Sequence, residues 1–347
     1  MEEPKPLPKI VSLFCGAGGL DKGYHDAGFE VVLAIDHSEA AIRTHQRNFK
    51  KTRSIVEDLE DFGAVGVLEE LAGLADPGER IGVIGGPPCQ GFSRANNGSV
   101  AADPRNKLPL LYLDIVEALQ DEYVVEFALF ENVVGIRDRK HADVFSGILS
   151  RFGEIGLTPD VDEYSALDFG VAQTRNRVII SAFAAPDAAR AFSPKKVRRS
   201  ELTVRSVIGD LPPPRFFERG LKPESIPHHP NHWTMQPRSK RFRLPGGVKS
   251  GDRSFRRLDW DKPSPTIAFG HREINVHPDG TRRLSIYEAM LLQGFPKTFV
   301  LEGTLSEQVE QVSNAVPPPL ARALAKATSI ALRESNSVAL GPVRSQP

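Results

Sequence analysis

Cysteine is scarce in this chain, because only Cys15 and Cys89 occur among its 347 residues. Two cysteines cannot build the several cross-links of a small disulfide-stabilised scaffold. Reduced thiols are typical of the cytosol or nucleus rather than of secreted domains. We therefore expect two free thiols.

Long apolar runs and an excess of one charge are also missing. No segment approaches the about 20 apolar residues that a membrane span requires, and the start, MEEPKPLPKI, has no apolar signal core. Lys and Arg total 44, as do Asp and Glu, so the formal net charge is zero. These features predict a cytoplasmic protein, and the length suits one large domain with a smaller one.

The balanced total conceals an uneven distribution of charge. Between Arg190 and Arg283 there are 21 basic against 9 acidic residues, a net charge of +12. The rest of the chain has 23 against 35, a net charge of −12. Such a basic region suits a polyanion such as nucleic acid; the alternative is a solvated basic loop region.

The first 185 residues alternate strand-like and helix-like segments. The strand-like segments are short, apolar runs at 9–14, 30–35, 80–84, 126–130 and 177–182. Helical patterns follow the first two, at 20–27 and 38–48. Strands separated by helices predict an α/β fold with a mostly parallel sheet. Continuous apolar runs indicate strands covered on both faces.

The amino-acid composition changes near residue 186, where proline, glycine and arginine become frequent, as in LPPPRF and RLPGGVKSGDR. Regular patterning returns after Leu284, with a helical SIYEAMLLQGF and an amphipathic helix at 320–332. The resulting domain prediction has a large domain at 1–185 and 281–334, a small loop-rich domain at 186–280 and a disordered tail at 335–347.

A glycine loop, LFCGAGGL, follows the first strand. Gly16, Gly18 and Gly19 would let backbone N–H groups approach a ligand at a helix N-terminus, although a tight turn without a ligand explains the pattern equally. Asp36 ends the second strand, where a carboxylate can hold ribose hydroxyls. Asp58 lies before a later helix, and either aspartate could instead be a cap or a solvated charge.

A second loop, GGPPCQGFS, places Cys89 at its apex between residues that make the turn rigid. A nucleophilic cysteine needs thiolate character, which backbone N–H groups and nearby arginines can supply. The alternative is a buried structural cysteine. The polar segment up to Lys107 is typical of a mobile lid.

Two further motifs adjoin apolar strands. In FENVVG, Glu131 stands at a strand's carboxyl end and is a candidate acid or hydrogen-bonding partner for Cys89, or simply a helix-capping charge. In QTRNRV, Arg175 and Arg177 lie on the same side of an extended chain. They could grip an anion or a base carbonyl, or protect an exposed strand edge.

Together these motifs resemble those of the DNA (cytosine-5)-methyltransferase family. FCGAGG, GGPPCQGFS, ENV and QTRNR occur in that family's order and approximate spacing, and RLDWDKPSPTI, RRLSIYEAMLLQGFP and QVSNAVPPPLARALA resemble its C-terminal blocks. The similarity covers residues 9–185 and 257–332. It implies a Rossmann-like methyltransferase sheet with a smaller target-recognition domain, S-adenosylmethionine as cofactor and double-stranded DNA as partner.

The resemblance also implies roles for individual residues. Cys89 would add to C6 of a cytosine, Glu131 would hydrogen-bond N3 and the exocyclic amine, and Arg177 would contact O2, with Arg175 supporting the loop. Base flipping is implied, because C6 is inaccessible within a stacked duplex. The residues expected around the cofactor are Phe14, Gly16, Gly18, Gly19, Leu20, Asp36, His37, Asp58, Leu59, Pro88, Asn314 and Ala315.

Three positions depart from the family's pattern. The family usually has Glu where Asp36 stands, and the shorter carboxylate should still reach a ribose. His37 stands where an aromatic residue often covers the adenine. Ser313 replaces the usual Gly before Asn314 and would be strained by about 1 kcal/mol or more if the position needs φ > 0.

Similarity fades between Pro186 and Leu258, as expected for a target-recognition domain. Its arginines suit phosphate contacts and guanine readout. The residues expected at the DNA are Ser93, Arg105, Arg238, Arg241, Arg243, Arg253 and Arg256. His228, His229 and His232 lie in a Pro-rich stretch without a nearby cysteine, so we predict no metal.

Two alternatives share parts of this pattern. An RNA cytosine-5 methyltransferase acting on transfer RNA typically carries a further Cys-Phe-Thr element, which this chain lacks. A catalytically inactive DNA-binding paralogue would have lost Cys89 or Glu131. The compact layout resembles bacterial, archaeal or phage enzymes of restriction–modification systems, so we expect a monomer with a restriction endonuclease as a candidate functional partner.

Overall fold

The protein is described by a computed structural model over residues 5–88, 107–197, 202–252, 255–267 and 275–338. Four residues expected at the target base or the DNA lie outside the described residues: Cys89, Ser93, Arg105 and Arg253. Nearly all of the predicted lid also lies outside them.

A central sheet carries the catalytic candidates. The strands of the first half of the chain are β1 (Lys9–Leu13), β2 (Val31–Asp36), β3 (Arg53–Val56), β4 (Arg80–Gly85), β5 (Val124–Val133), β6 (Thr158–Ser165), β7 (Gln173–Thr174) and β8 (Asn176–Phe183). Seven of them form one sheet in the order β3-β2-β1-β4-β5-β8-β6. The five strands from β3 to β5 are parallel, and β8 runs antiparallel to both β5 and β6.

The α/β prediction is confirmed, and the strand positions agree to within two or three residues at each end. The sequence patterns missed β3 and β6. β3 has only four residues, and β6 (TPDVDEYS) is rich in acidic side chains because it lies at the sheet edge. An edge strand with charged side chains lacks the apolar run that marks a covered strand.

Ten α-helices are described, and they cover both faces of the sheet. They are α1 (Gly19–Asp26), α2 (Glu39–Asn48), α3 (Leu59–Leu71), α4 (Leu108–Leu119), α5 (Ala142–Glu154), α6 (Pro186–Ala191), α7 (Val204–Ile208), α8 (Ile286–Leu292), α9 (Leu305–Asn314) and α10 (Pro318–Val338). One core cluster packs α3, α4 and α5 on one face, and a second packs α1, α6 and α10 on the other. Burial on both faces explains the continuous apolar strands.

Two predicted domain limits need correction. The large domain does not end at residue 185, because α6 continues it and buries Ala188, Ala189 and Phe192 in the same core cluster as α10. The tail does not begin at residue 335, because α10 runs on to Val338.

The described residues between 202 and 276 contain only two-residue strands. These are β9 (Arg215–Phe216), β10 (Trp233–Thr234), β11 (Arg256–Arg257), β12 (Ser264–Pro265) and β13 (Asn275–Val276). β9 pairs with β10 and β11 with β13, whereas β12 pairs with β7 of the large domain. A third core cluster joins Leu258 and Ile267 to helices α7, α8 and α9. Within the described ranges, none of the helices has the length and apolarity needed to span a membrane.

Candidate active site

The glycine loop lies at the carboxyl end of β1, next to the end of β2. Phe14 adopts φ 54, in the left-handed region that non-glycine residues rarely occupy. Gly16 also has a positive φ, and a β-carbon there would meet no atom within 4 Å. Gly18 is the N-cap residue of α1 and provides no side-chain cap, so the first N–H groups of this helix are available to a ligand. Strain at an aromatic residue of such a loop is typical of a functional site.

Asp36 braces this loop. Its Oδ2 accepts a hydrogen bond from the Gly16 amide at 2.9 Å, and its Oδ1 accepts from the Ser38 amide at 2.9 Å. Each carboxylate oxygen can accept a further bond, so this anchoring leaves room for ribose hydroxyls. His37 is two-thirds exposed, and its Nδ1 lies 3.5 Å from Asp36 Oδ1.

Three other residues expected at the cofactor have definite packing roles. Asp58 caps α3, because its Oδ1 accepts from the Glu60 amide at 3.0 Å. The side chains of Leu59 and Leu20 are buried in the two core clusters of the sheet. These two leucines can therefore offer a ligand their backbone, but not their side chains.

Glu131 and Arg177 meet where β5 and β8 pair. The Arg177 Nε lies 2.6 Å from Glu131 Oε1, and both side chains are about nine-tenths buried. Among the described residues no hydrogen bond reaches Glu131 Oε1, so its contact with Arg177 is an ion pair. A β-carbon at Gly86 would lie 2.9 Å from Glu131 Oε2. The carboxylate therefore faces the loop that leads to Cys89.

That loop is also held by the neighbour of Glu131. Asn132 Nδ2 donates to the carbonyl oxygen of Pro87 at 3.4 Å. Pro88, expected at the cofactor, is the last residue described before Cys89 and is partly buried. In the FENVVG motif, the Asn132 amide therefore holds the second loop, and the Glu131 carboxylate faces it.

Arg175 is buried away from solvent, with 1 % of its surface exposed. Its Nη2 donates to the carbonyl oxygen of Ser313 at 2.6 Å, and its Nε has no hydrogen-bond partner in the part of the chain that is described. Burial and then the charge of Arg177 lower the pKa of Arg175, while Glu131 opposes them. The predicted supporting role is consistent with this contact to the segment before Asn314.

The strain considered for Ser313 does not arise. Ser313 lies in the last turn of α9 and is not among the described residues with positive φ. Its hydroxyl donates to the carbonyl oxygen of Glu310 at 3.0 Å. Asn314 ends the same helix and is exposed.

A chain of buried amides that the sequence reasoning missed connects these segments. Gln173 Nε2 donates to Gln293 Oε1 at 2.7 Å, and Gln293 Nε2 donates to the Ala315 carbonyl at 2.7 Å. Ala315 and Val316 then pack on Gly19, where a β-carbon would lie 2.3 Å from the Val316 carbonyl oxygen. Gln173 lies in the motif QTRNRV and Gln293 in RRLSIYEAMLLQGFP. Their positions inside these family-like motifs are the sequence signal that could have identified them.

The arginines of the small domain differ in their environments. Arg238, Arg243 and Arg256 are exposed. Arg241 Nη1 contacts Asp252 at 2.9 Å and its guanidinium lies over the Phe255 ring. An exposed arginine can exchange water for a phosphate, whereas a paired one must first leave its carboxylate.

The three histidines pack around Tyr287. His229 stacks on this ring with centroids 4.0 Å apart, and His232 hydrogen-bonds Ser285 Oγ and the Pro212 carbonyl at 3.0 and 2.7 Å. They join the small domain to α8. No cluster of metal-ligand type occurs in the portion of the chain that the structure describes.

Comparisons with known proteins identify the family of this chain. Residues 8–329 match the family model for C-5 cytosine-specific DNA methylases. The chain is 33% identical to the type II methyltransferase M.MthTI of Methanothermobacter thermautotrophicus, over 91% of this chain and 96% of that protein. It is 31% identical to M1.HphI of Haemophilus parahaemolyticus, over 91% and 85% of the two chains.

Solved structures share the fold. A crystal structure of a DNA modification methyltransferase encoded within an E. coli prophage superposes with a TM-score of 0.74 at 25% identity, covering 94% of this chain and 99% of the other. The S. pombe Dnmt2 methyltransferase superposes with a TM-score of 0.60 at 16% identity, covering 95% and 99%.

Proposed function

Because this chain belongs to the C-5 cytosine-specific DNA methylase family, we propose that it methylates carbon 5 of a cytosine within a specific double-stranded DNA sequence. The observation that carries the proposal is the Glu131–Arg177 pair, which lies against the loop leading to Cys89. The type II relatives favour a role in restriction–modification.

The residues at the ends of β1 and β2 fit S-adenosylmethionine. Phe14 is held in a strained conformation, α1 begins without a side-chain cap, and the buried Asp36 keeps accepting capacity. Phe14 would stack on the adenine, Asp36 would take the ribose hydroxyls and Asp58 the adenine amine. When bound, the cofactor supplies an electrophilic methyl group on a sulfonium.

The remaining chemistry belongs to the protein's own side chains. Carbon 5 of cytosine is a poor nucleophile until a thiolate adds at C6, which is the role of Cys89. Glu131 would accept a hydrogen bond from the exocyclic amine and share a proton with N3, stabilising the charge that develops on the ring. Arg177 would contact O2 and hold the Glu131 carboxylate in place. Once C5 carries the methyl group, loss of the C5 proton to a base lets the ring expel the Cys89 thiolate and regain its double bond.

The basic small domain provides the DNA surface in this proposal. Arg238, Arg243 and Arg256 would contact phosphates or guanine edges, since they are exposed. Arg241 would need to leave Asp252 first. The target base has to be flipped out of the duplex to reach Glu131.

A pair of cysteine variants tests the mechanism. Cys89→Ser should abolish methyl transfer to duplex DNA while S-adenosylmethionine binding persists. Cys15→Ser is the matched control, because Cys15 is buried and burial, followed by the charges of Asp21 and Asp36, raises the pKa of its thiol well above the usual range. Turnover by Cys89→Ser, or transfer only to transfer RNA, would overturn the proposal. Bisulfite sequencing would identify the site.

A further inference from the structure

Beneath the glycine loop, three polar side chains form a buried chain of hydrogen bonds. His45 Nε2 lies 3.2 Å from Asp21 Oδ1, and Nδ1 of the same ring lies 2.8 Å from Ser54 Oγ. The side chains of His45 and Asp21 have no exposed surface. The three residues come from α1, α2 and β3, so the chain joins three elements around one loop.

The His45 ring forms the floor on which Gly18 rests. A β-carbon at Gly18 would lie 2.8 Å from Cδ2 of His45 and 2.5 Å from Cε2 of Phe49. The two rings pack with centroids 4.3 Å apart. Gly18 has φ 82 and is the N-cap residue of α1. The position of the His45 ring therefore limits where the glycine loop can lie.

Stability alone does not account for this arrangement. Asp21 Oδ2 is buried and has no hydrogen-bond partner among the described residues, which costs free energy. Apolar side chains often replace buried charged groups without loss of stability. The two contacts, one at each ring nitrogen, fix the rotation of the imidazole.

We infer that His45, oriented by Asp21 and Ser54, is a positioning residue that holds the glycine loop in the shape that binds S-adenosylmethionine. The inference rests on the proposed function. Neither His45 nor Asp21 can touch the cofactor, because both are enclosed by protein. They act through Gly18 and the first turn of α1, as packed residues behind a site do.

Three variants distinguish the effect of the orientation of the His45 ring from the effects of its size and of the charge of Asp21. His45→Phe keeps a ring beneath Gly18 but loses both hydrogen bonds, and Asp21→Leu removes the acceptor. Each should raise the Kd for S-adenosylmethionine about tenfold, the factor expected from one well-placed hydrogen bond. Asp21→Asn keeps an acceptor for Nε2 and should bind the cofactor within about twofold of the unmodified protein. Calorimetric titration without DNA gives these constants.

A matched control lies next to His45 on α2. Thr44→Val removes a buried hydrogen bond to Gln311 Oε1 at 2.6 Å and a partly buried one from the Glu302 amide at 2.8 Å, whose partners lie on α9 and in the segment before it rather than at Gly18. It should lower the unfolding temperature as His45→Phe does, yet leave the cofactor Kd unchanged. The kcat at saturating cofactor, and DNA affinity, should stay within about twofold in all four variants, because a positioning effect on cofactor binding changes KM rather than kcat.

The outcomes distinguish the inference from the proposed function. Equal cofactor Kd values for His45→Phe and Thr44→Val would overturn the inference alone. So would an Asp21→Asn protein as weak in binding as Asp21→Leu, a comparison that remains available if His45→Phe does not fold. An unmodified protein that binds the cofactor but methylates no DNA would overturn the proposed function and leave the binding test intact.

Discussion

Replacing Gly19 by alanine tests the close contact between the glycine loop and the connector from α9 to α10. The added β-carbon would lie 2.3 Å from the Val316 carbonyl oxygen and 3.2 Å from the Ala315 β-carbon. Ordinary contacts begin at 3.4 Å, so the two segments must separate by 1.1 Å. The connector resists this movement, because Gln293 holds the Ala315 carbonyl at 2.7 Å.

The size of the effect follows from that separation. Overpacking of this kind costs about 1–3 kcal/mol of stability, and misplacing reacting groups by about 1 Å can lower turnover about a hundredfold. We therefore expect Gly19→Ala to unfold at lower urea concentration and to lose most of its methyl-transfer activity. Urea denaturation and a tritiated-methyl transfer assay measure the two effects.

Gly147→Ala in α5 is the matched control. A β-carbon at Gly147 would meet no atom within 4 Å, and its φ is not positive. Alanine is favoured over glycine within a helix by about 1 kcal/mol, so this variant should be as stable as the unmodified protein or more so. A Gly19→Ala protein with unchanged stability and turnover would refute the reasoning from the contact.

Three further predictions concern packing, chemistry and pH. Gly23→Ala should destabilise the fold by about 1–3 kcal/mol, because the new β-carbon would lie 2.3 Å from that of Ala321 where α1 crosses α10; an unchanged urea midpoint would contradict this. Glu131→Gln should lower kcat about a hundredfold or more while cofactor affinity is kept, and near-normal turnover would exclude the proposed role. Burial lowers the pKa of His229 to about 4, below its unfolded value of about 6.5. Its contribution to stability is complete above about pH 6.5 and is lost as pH falls toward 4, so His229→Gln should lose less stability over that interval; an equal loss would contradict the assignment.

Asp58 shows why the role of some candidate site residues cannot be decided from the sequence alone. Its position before a helix was compatible with a cofactor ligand and with a cap, and the structure establishes the cap to the Glu60 amide. Asp36 is similar, since its contact to Gly16 joins residues 20 apart in sequence. A carboxylate at a strand end carries the same local signal whether it holds backbone, ligand or both.

The partners of the buried side chains that support the site could not be identified from local sequence. Arg175 meets the carbonyl of Ser313, 138 residues away, and Gln173 meets Gln293, 120 residues away. Motif reading marked Arg175 as a supporting residue but could not name its partner. Hydrogen bonds of this kind depend on which segments the sheet order brings together.

The sequence by itself determined the α/β class, the position of the glycine loop and the resemblance from which the catalytic residues are proposed, because apolar periodicity and short motifs are local properties. Only the tertiary structure decided that β8 runs antiparallel between β5 and β6, so that Arg177 faces Glu131. It alone placed α6 in the large domain and His45 beneath Gly18. These features arise from contacts between segments distant in sequence, whose geometry is set when the apolar faces of the helices and the sheet are buried together.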